Sequence, residues 1–164
     1  MPSFSKKSLN LKEEYFKWHS PITGTEVEME VFGHSGKPVI IYPTSMGTYH
    51  QNKDFKLIES VAWFVDSGLV KIYCPSIIVN ESFYNGEIQT AYRIANQVRS
   101  DKRILEEVAY RAMNETNQSK VAVAGCSFGG YHAINFAFRH PEHVNYAFSM
   151  GGAFDIKNHL DGYY

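Results

Sequence analysis

Gly125-Cys126-Ser127-Phe128-Gly129 sets a serine between two glycines, each two residues away. A serine that attacks a carbonyl must sit on a sharp strand-to-helix turn at strained φ/ψ with its hydroxyl exposed, so the residues two before and two after must lack bulk. Gly125 and Gly129 meet that need, and Gly130 adds room where a helix would pack close to a sheet. The chemistry such a turn serves is acyl transfer through a covalent acyl-serine. The bare pattern is weak evidence, and its context strengthens it. Val121-Ala122-Val123-Ala124 is a buried-type strand run ending on Gly125, and an apolar helix face begins directly after Ser127.

Acyl transfer also needs hydrogen-bond donors for the developing oxyanion, and on this kind of turn they are two backbone N–H groups. Phe128, next to the serine, supplies one. The other is expected from Pro43-Thr44-Ser45-Met46-Gly47-Thr48, which follows the apolar run Val39-Ile40-Ile41-Tyr42. Pro43 has no N–H, which leaves Ser45 or Met46. His50 lies on the same side and is a candidate base. His132, five residues after Ser127 on the following helix, is expected to point away from the hydroxyl and to bond a neighbouring loop. His140, Glu142 and His143 crowd one turn without further ligands, so no metal site is read there. Tyr49 and Phe83 are the aromatic candidates for the pocket rim.

The elements that must position these groups follow from periodicity. Val27, Met29 and Val31 alternate with Glu26, Glu28 and Glu30, the pattern of a half-exposed strand, and residues 11–19 pair with it through a hairpin at Thr23-Gly24. Val39-Ile40-Ile41-Tyr42 reads as the first central strand. Phe55, Ile58, Val61, Ala62 and Val65 recur at helical spacing, with Gly68 placed to end that helix left-handed. Val70-Lys71-Ile72-Tyr73-Cys74 is the next strand. Ile88, Ala91, Ile94, Ala95 and Val98 form one helical stripe, Ser100-Asp101 reads as a cap, and Ile104, Leu105, Val108, Ala109 and Ala112 form a second stripe. After Ser127, Gly130, Ala133, Ile134, Ala137 and Phe138 make an apolar helix face that Arg139, His140 and Pro141 terminate. Val144 to Met150 is a last strand. Two antiparallel strands followed by alternating strand and helix imply a mixed sheet with right-handed crossovers.

The 164 residues, 44% hydrophobic and 20% charged, fit one globular domain, and no repeat or linker divides residues 1–164. A formal net charge of -1 with scattered Lys and Arg gives no footprint for nucleic acid. The polar N-terminus precedes no apolar stretch, so neither a signal peptide nor a membrane partner is expected, and the default location is cytoplasmic. Cys74 and Cys126 are too few for a disulfide scaffold.

Gly-Cys-Ser-Phe-Gly-Gly-Tyr-His-Ala at 125–133 resembles the Putative esterase family, which includes esterase D and the antigen 85 mycolyltransferases. The strand and loop from Val39 to Thr48, the stretch Glu81-Ser82-Phe83-Tyr84-Asn85, and the helical region with Arg93 and Glu106-Glu107 are similar as well, so the likeness spans about 15–164. It implies an α/β-hydrolase fold, a mixed, mostly parallel sheet with helices on both faces, and cleavage of a small carboxylester or thioester through an acyl-enzyme on Ser127. It implies no metal and no organic cofactor. In the family, the acid and the histidine follow the serine on loops after two further strands, whereas this sequence reaches Tyr164 just past its sixth strand. The expectation is therefore a fold truncated after the sixth strand and lacking the family's C-terminal strands. Asp155 and His159 stand in the family's acid-then-histidine order, although much closer together, so the triad is expected to be completed by residues not in this sequence or, atypically, by His159 or His50. The alternative reading is a non-catalytic hydrolase-fold protein acting as a structural or oligomeric unit. An apolar strand from Val144 to Met150 left at the sheet edge predicts a homodimer or higher homo-oligomer through that edge. If the family's strand order holds, the strand of Tyr42 separates those of Cys74 and Cys126, beyond disulfide reach.

Overall fold

The computed structural model describes residues 11–78 and 81–157. Six strands form one sheet: β1 (Glu13–His19), β2 (Glu26–Phe32), β3 (Lys37–Tyr42), β4 (Val70–Pro75), β5 (Val121–Cys126) and β6 (Val144–Met150), in the order β1-β2-β4-β3-β5-β6. β1 and β2 form the expected hairpin, and β2 joins β4 antiparallel. β3 pairs in parallel with β4 and β5, and β5 with β6. This is the mixed, mostly parallel sheet implied by the resemblance. β3 lies between the strands of Cys74 and Cys126, and both cysteines are free thiols.

Each face has its own helices and its own core. Three short helices, α1 (Gln51–Asp54), α2 (Leu57–Ser60) and α3 (Ala62–Asp66), cover one face, where Ile58 and Val65 pack on Phe32, Ile41, Ile72 and Cys74. The single helix expected from 55 to 65 is broken because Lys56 takes a left-handed φ of 60°, and Phe55 is exposed as a result. Gly68 does close the segment at φ 69°. The other face carries α4 (Thr90–Arg103), a π-helical stretch (Ile104–Ala109), α5 (Tyr110–Thr116) and α6 (Phe128–Arg139). Ile104, Val108, Ala112, Ala133 and Phe136 there pack on Met29, Val31, Ile40, Tyr73 and Val123.

In four places the packing departs from what periodicity predicts. The helix runs straight through Ser100-Asp101, both buried, and its irregularity comes later as the π-helical turn. The stripe of Ala91, Ile94, Ala95 and Val98 faces outward, while Arg93, Gln97, Ser100, Asp101 and Arg103 are buried. On α6 the core residue is Phe136, and Phe138 is 83% exposed. The inward polar face of α4 is tolerated because Arg93, Gln97, Asp101 and Arg103 each find at least one partner. Asp101 Oδ2 accepts from Arg139 Nε at 3.0 Å and lies 2.8 Å from His140 Nε2, and an Arg103 N–H donates to the Ser76 carbonyl at 2.6 Å. Glu30, expected at the exposed face of its strand, is buried, and burial raises its carboxyl pKa.

Candidate active site

Ser127 occupies the turn between β5 and α6 at φ 52° and ψ −122°, is exposed, and precedes the first residue of the helix. A non-glycine residue there carries strain of about 1–3 kcal/mol, which persists only where neighbours fix it. The fixing bonds are present. Its N–H donates to the Met150 carbonyl at 2.9 Å, and its carbonyl accepts from Gly130 at 3.0 Å and Ala153 at 3.2 Å. The flanking glycines answer to different neighbours. A Cβ on Gly125 would overlap the Gly129 carbonyl, and one on Gly129 would overlap the carbonyls of Pro43 and Tyr42. A side chain at Gly130 would run into the Ser149 hydroxyl on β6.

Register brings the loop after β3 to the same place. Tyr42 pairs with Gly125, so Pro43 leaves the sheet beside the end of β5, its carbonyl against Gly129. The loop then turns tightly: Gly47 N–H donates to the Thr44 carbonyl at 3.0 Å, and Met46 takes φ 58°. Thr44 is held by its N–H and its hydroxyl, both donating to Gln51 Oε1 at 2.7 and 2.9 Å. The Tyr84 hydroxyl donates to Ser45 Oγ at 2.5 Å. Tyr84 also lies edge-on to Phe128, centroids 5.6 Å apart, so Phe128 and Ser45 share one neighbourhood. Met46 is exposed and lines a pocket of about 130 Å³ with Tyr49, Ile77 and Glu28.

The other polar candidates are dispersed. His50 is 3.6 Å from Asp54 and edge-on to Tyr49, whose ring meets Tyr15 on β1, four places along the sheet from β5. His132 is buried between Tyr42 and Phe128, with Gln97 Nε2 at 3.2 Å from Nδ1, so its partner is a helix residue and not a loop. Burial lowers its pKa to about 4. His140 and His143 lie at the opposite rim, where the His143 carbonyl accepts from Val121 at the start of β5. Asp155 is exposed, accepts from Lys157 N–H at 3.1 Å and pairs with its ammonium at 3.5 Å. His159 lies outside the described residues. Phe83, expected at the rim, is 5% exposed and packs edge-on against Phe128 and Tyr131, so it is a core ring. Tyr84, Gln51 and Gln97 were not among the sequence candidates, since an isolated Tyr or Gln carries no periodic signal.

On the α1–α3 face, Val39, Ile41, Val61, Phe64, Ala124, Phe148 and Met150 line an apolar trough of about 410 Å³ beside β6. No helix among the described residues is long and apolar enough to cross a membrane.

A serine on a positive-φ turn between a central parallel strand and a helix, with the preceding central strand's loop beside it, defines an α/β-hydrolase fold. The solved structures agree. The S-formylglutathione hydrolase FrmB from Staphylococcus aureus superposes with TM-score 0.68 at 17% identity, covering 94% of this chain and 62% of that one. A CE1 ferulic acid esterase from Anaeromyces mucronatus gives 0.64 at 14%, covering 87% and 58%. MPT51 from Mycobacterium tuberculosis gives 0.62 at 18%, covering 86% and 51%. This chain thus spans roughly half to three-fifths of the length of those proteins. The resemblance read from the elbow is borne out by the family model described as Putative esterase, which matches residues 89–161, the part holding α4, the elbow and β6. Among curated proteins, no sequence matches.

Proposed function

We propose that the chain is one serine-esterase domain in which Ser127 Oγ attacks the carbonyl carbon of a small carboxylester or thioester. The alcohol or thiol leaves with a proton, and water then releases the acid from the acyl-serine. The observation that carries this reading is the strained, exposed Ser127, held by β6 and flanked by glycines that admit no side chain. The Phe128 N–H and that of Ser45 or Met46 form the oxyanion hole. The base is a histidine. Six of the seven histidines are described; of these, His132 is engaged with Gln97 and His50 with Asp54. Within this sequence His159, with Asp155 in the family's acid-then-histidine order, is the first to substitute. Hydrolysis of 4-nitrophenyl acetate tests the reading: Ser127→Ala is expected to abolish turnover above background, and His159→Ala to reduce it at least a hundredfold, on the order of a lost triad member. Equal rates for wild type and Ser127→Ala overturn the enzyme reading.

Two further parts belong to this proposal. Among the described residues β6 is an outer strand with Tyr146, Phe148 and Met150 exposed on one face, and two copies pair there into a homodimer. Light scattering should show a dimer that Phe148→Lys dissociates; a wild-type monomer overturns the pairing. The domain works in the reducing cytoplasm, a placement that rests on a sequence with only two cysteines, too few for a disulfide scaffold. Fractionation of the producing cells should leave the protein with the cytoplasmic markers, and its recovery outside them would overturn the placement.

A further inference from the structure

We propose that Tyr84 is a positioning residue that clamps both backbone segments of the oxyanion site at once, an inference that rests on the Ser127 reading above. Its hydroxyl donates to Ser45 Oγ at 2.5 Å, and its ring stands edge-on to Phe128 at 5.6 Å and 83°. The Phe128 ring is 1% exposed and enclosed further by Phe83 at 5.6 Å, Tyr131 at 5.1 Å and His132 at 4.8 Å. The first turn of α6 therefore has little freedom, and Tyr84 refers the loop after β3 to it.

The segment that carries Tyr84 is itself anchored. Ser82 Oγ donates to the Ile78 carbonyl at 2.6 Å, and Asn96 Nδ2 on α4 donates to the Glu81 carbonyl at 2.7 Å. From the other side, Gln51 holds Thr44 by two hydrogen bonds. The peptide groups of Ser45 and Met46 are thus gripped between Gln51 on one flank and Tyr84 on the other. Such grip matters because an oxyanion donor works only within about 2.7–3.1 Å of the developing charge, and a misplacement of about 1 Å costs on the order of a hundredfold.

Tyr84→Phe keeps the ring against Phe128 and removes the hydroxyl; Ser45→Ala removes its partner. In 4-nitrophenyl acetate hydrolysis each is expected to lower kcat about tenfold with KM unchanged, less than the 10²–10³ of losing a donor outright. The double variant should be no slower than either single one, because the two substitutions break one bond. Amide hydrogen exchange across residues 43–48 should speed up in all three, and this readout needs no turnover. Additive losses, a raised KM with kcat intact, or unchanged loop exchange in Tyr84→Phe overturn the clamp. Should Ser127→Ala hydrolyse the ester as fast as wild type, the nucleophile reading fails by itself and the catalytic role of Tyr84 fails with it. Loop exchange then decides separately whether Tyr84 holds the loop.

Discussion

His132 gives the helix that carries Ser127 a pH dependence whose size can be worked from its surroundings. The imidazole is 6% exposed, packed against the rings of Phe128 and Tyr42, with Gln97 Nε2 3.2 Å from Nδ1 and, among the described residues, no hydrogen-bond partner at Nε2. Burial holds its pKa down from the ordinary 6.5 to about 4. Between those values the unfolded chain takes up a proton that the folded chain does not. Stability is therefore full above about pH 6.5, falls as the pH falls, and reaches its floor below about 4. At about 1.4 kcal/mol per pH unit the difference amounts to about 3 kcal/mol, a large share of the ~5–15 kcal/mol that holds a domain folded. His132→Phe keeps a ring of similar size, removes the orphaned nitrogen and abolishes the titration. Urea denaturation followed by the fluorescence of Trp18 and Trp63, from about pH 7.5 to about 4.5, reads the effect. Wild type should lose about 2–3 kcal/mol more than the variant across that window. Parallel curves for the two proteins would refute the argument, since they would mean that the imidazole titrates alike in the folded and unfolded states.

Gly129→Ala places a methyl on the carbonyls of Pro43 and Tyr42, backbone that cannot move without disturbing β3. Thermal melts should show a loss of about 1–3 kcal/mol, against little change for Gly86→Ala, where an added Cβ meets nothing within 4 Å. Burial pushes the Glu115 carboxyl up, but hydrogen bonds from Lys71 Nζ at 2.6 Å, Arg111 Nε at 2.7 Å and the Tyr73 hydroxyl at 2.9 Å outweigh it and hold the pKa at about 2. The folded value lies below the ordinary 4.5, so this stability is present above that pH and lost as the pH falls through about 2. Glu115→Gln should flatten the acid limb of a circular-dichroism titration in that window.

The strands were legible because their signals are local and one-dimensional. A run of β-branched residues such as Val39-Ile40-Ile41 has one economical reading, a strand buried on both faces, and it is the strand found at the centre of the sheet. Helix faces were less legible for a specific reason. Periodicity says which residues share a face, not which way that face turns. On α4 the apolar stripe was assigned inward by default, yet the polar stripe is the buried one, because Asp101 finds Arg139 and His140, and Gln97 finds His132, on a helix roughly 35–40 residues later. Those pairings are tertiary facts that spacing within α4 cannot contain. Glu30 failed in the same way, since its alternation with Met29 and Val31 was right and only the covering of its face by other elements was unseen.

The turn at Ser127 was legible for a different reason, because its glycines answer to contacts that the fold makes. The two glycines around Ser127 do not record one local turn. Gly125 is required by the carbonyl of Gly129 on the same turn, but Gly129 is required by Pro43 and Tyr42, on a strand some eighty residues earlier. A motif that looks contiguous thus encodes the close approach of β3 to the end of β5, and with it the position of the loop carrying Ser45 and Met46. Tyr84 stands in a stretch that carries the family resemblance, but its contacts left no such trace. A tyrosine tolerates many surroundings, so its hydroxyl on Ser45 and its ring on Phe128 could be found only once the chain was folded. Where a position admits a single residue type, the sequence carries the contact that forbids the others; where it admits many, the contact is invisible however much the site depends on it.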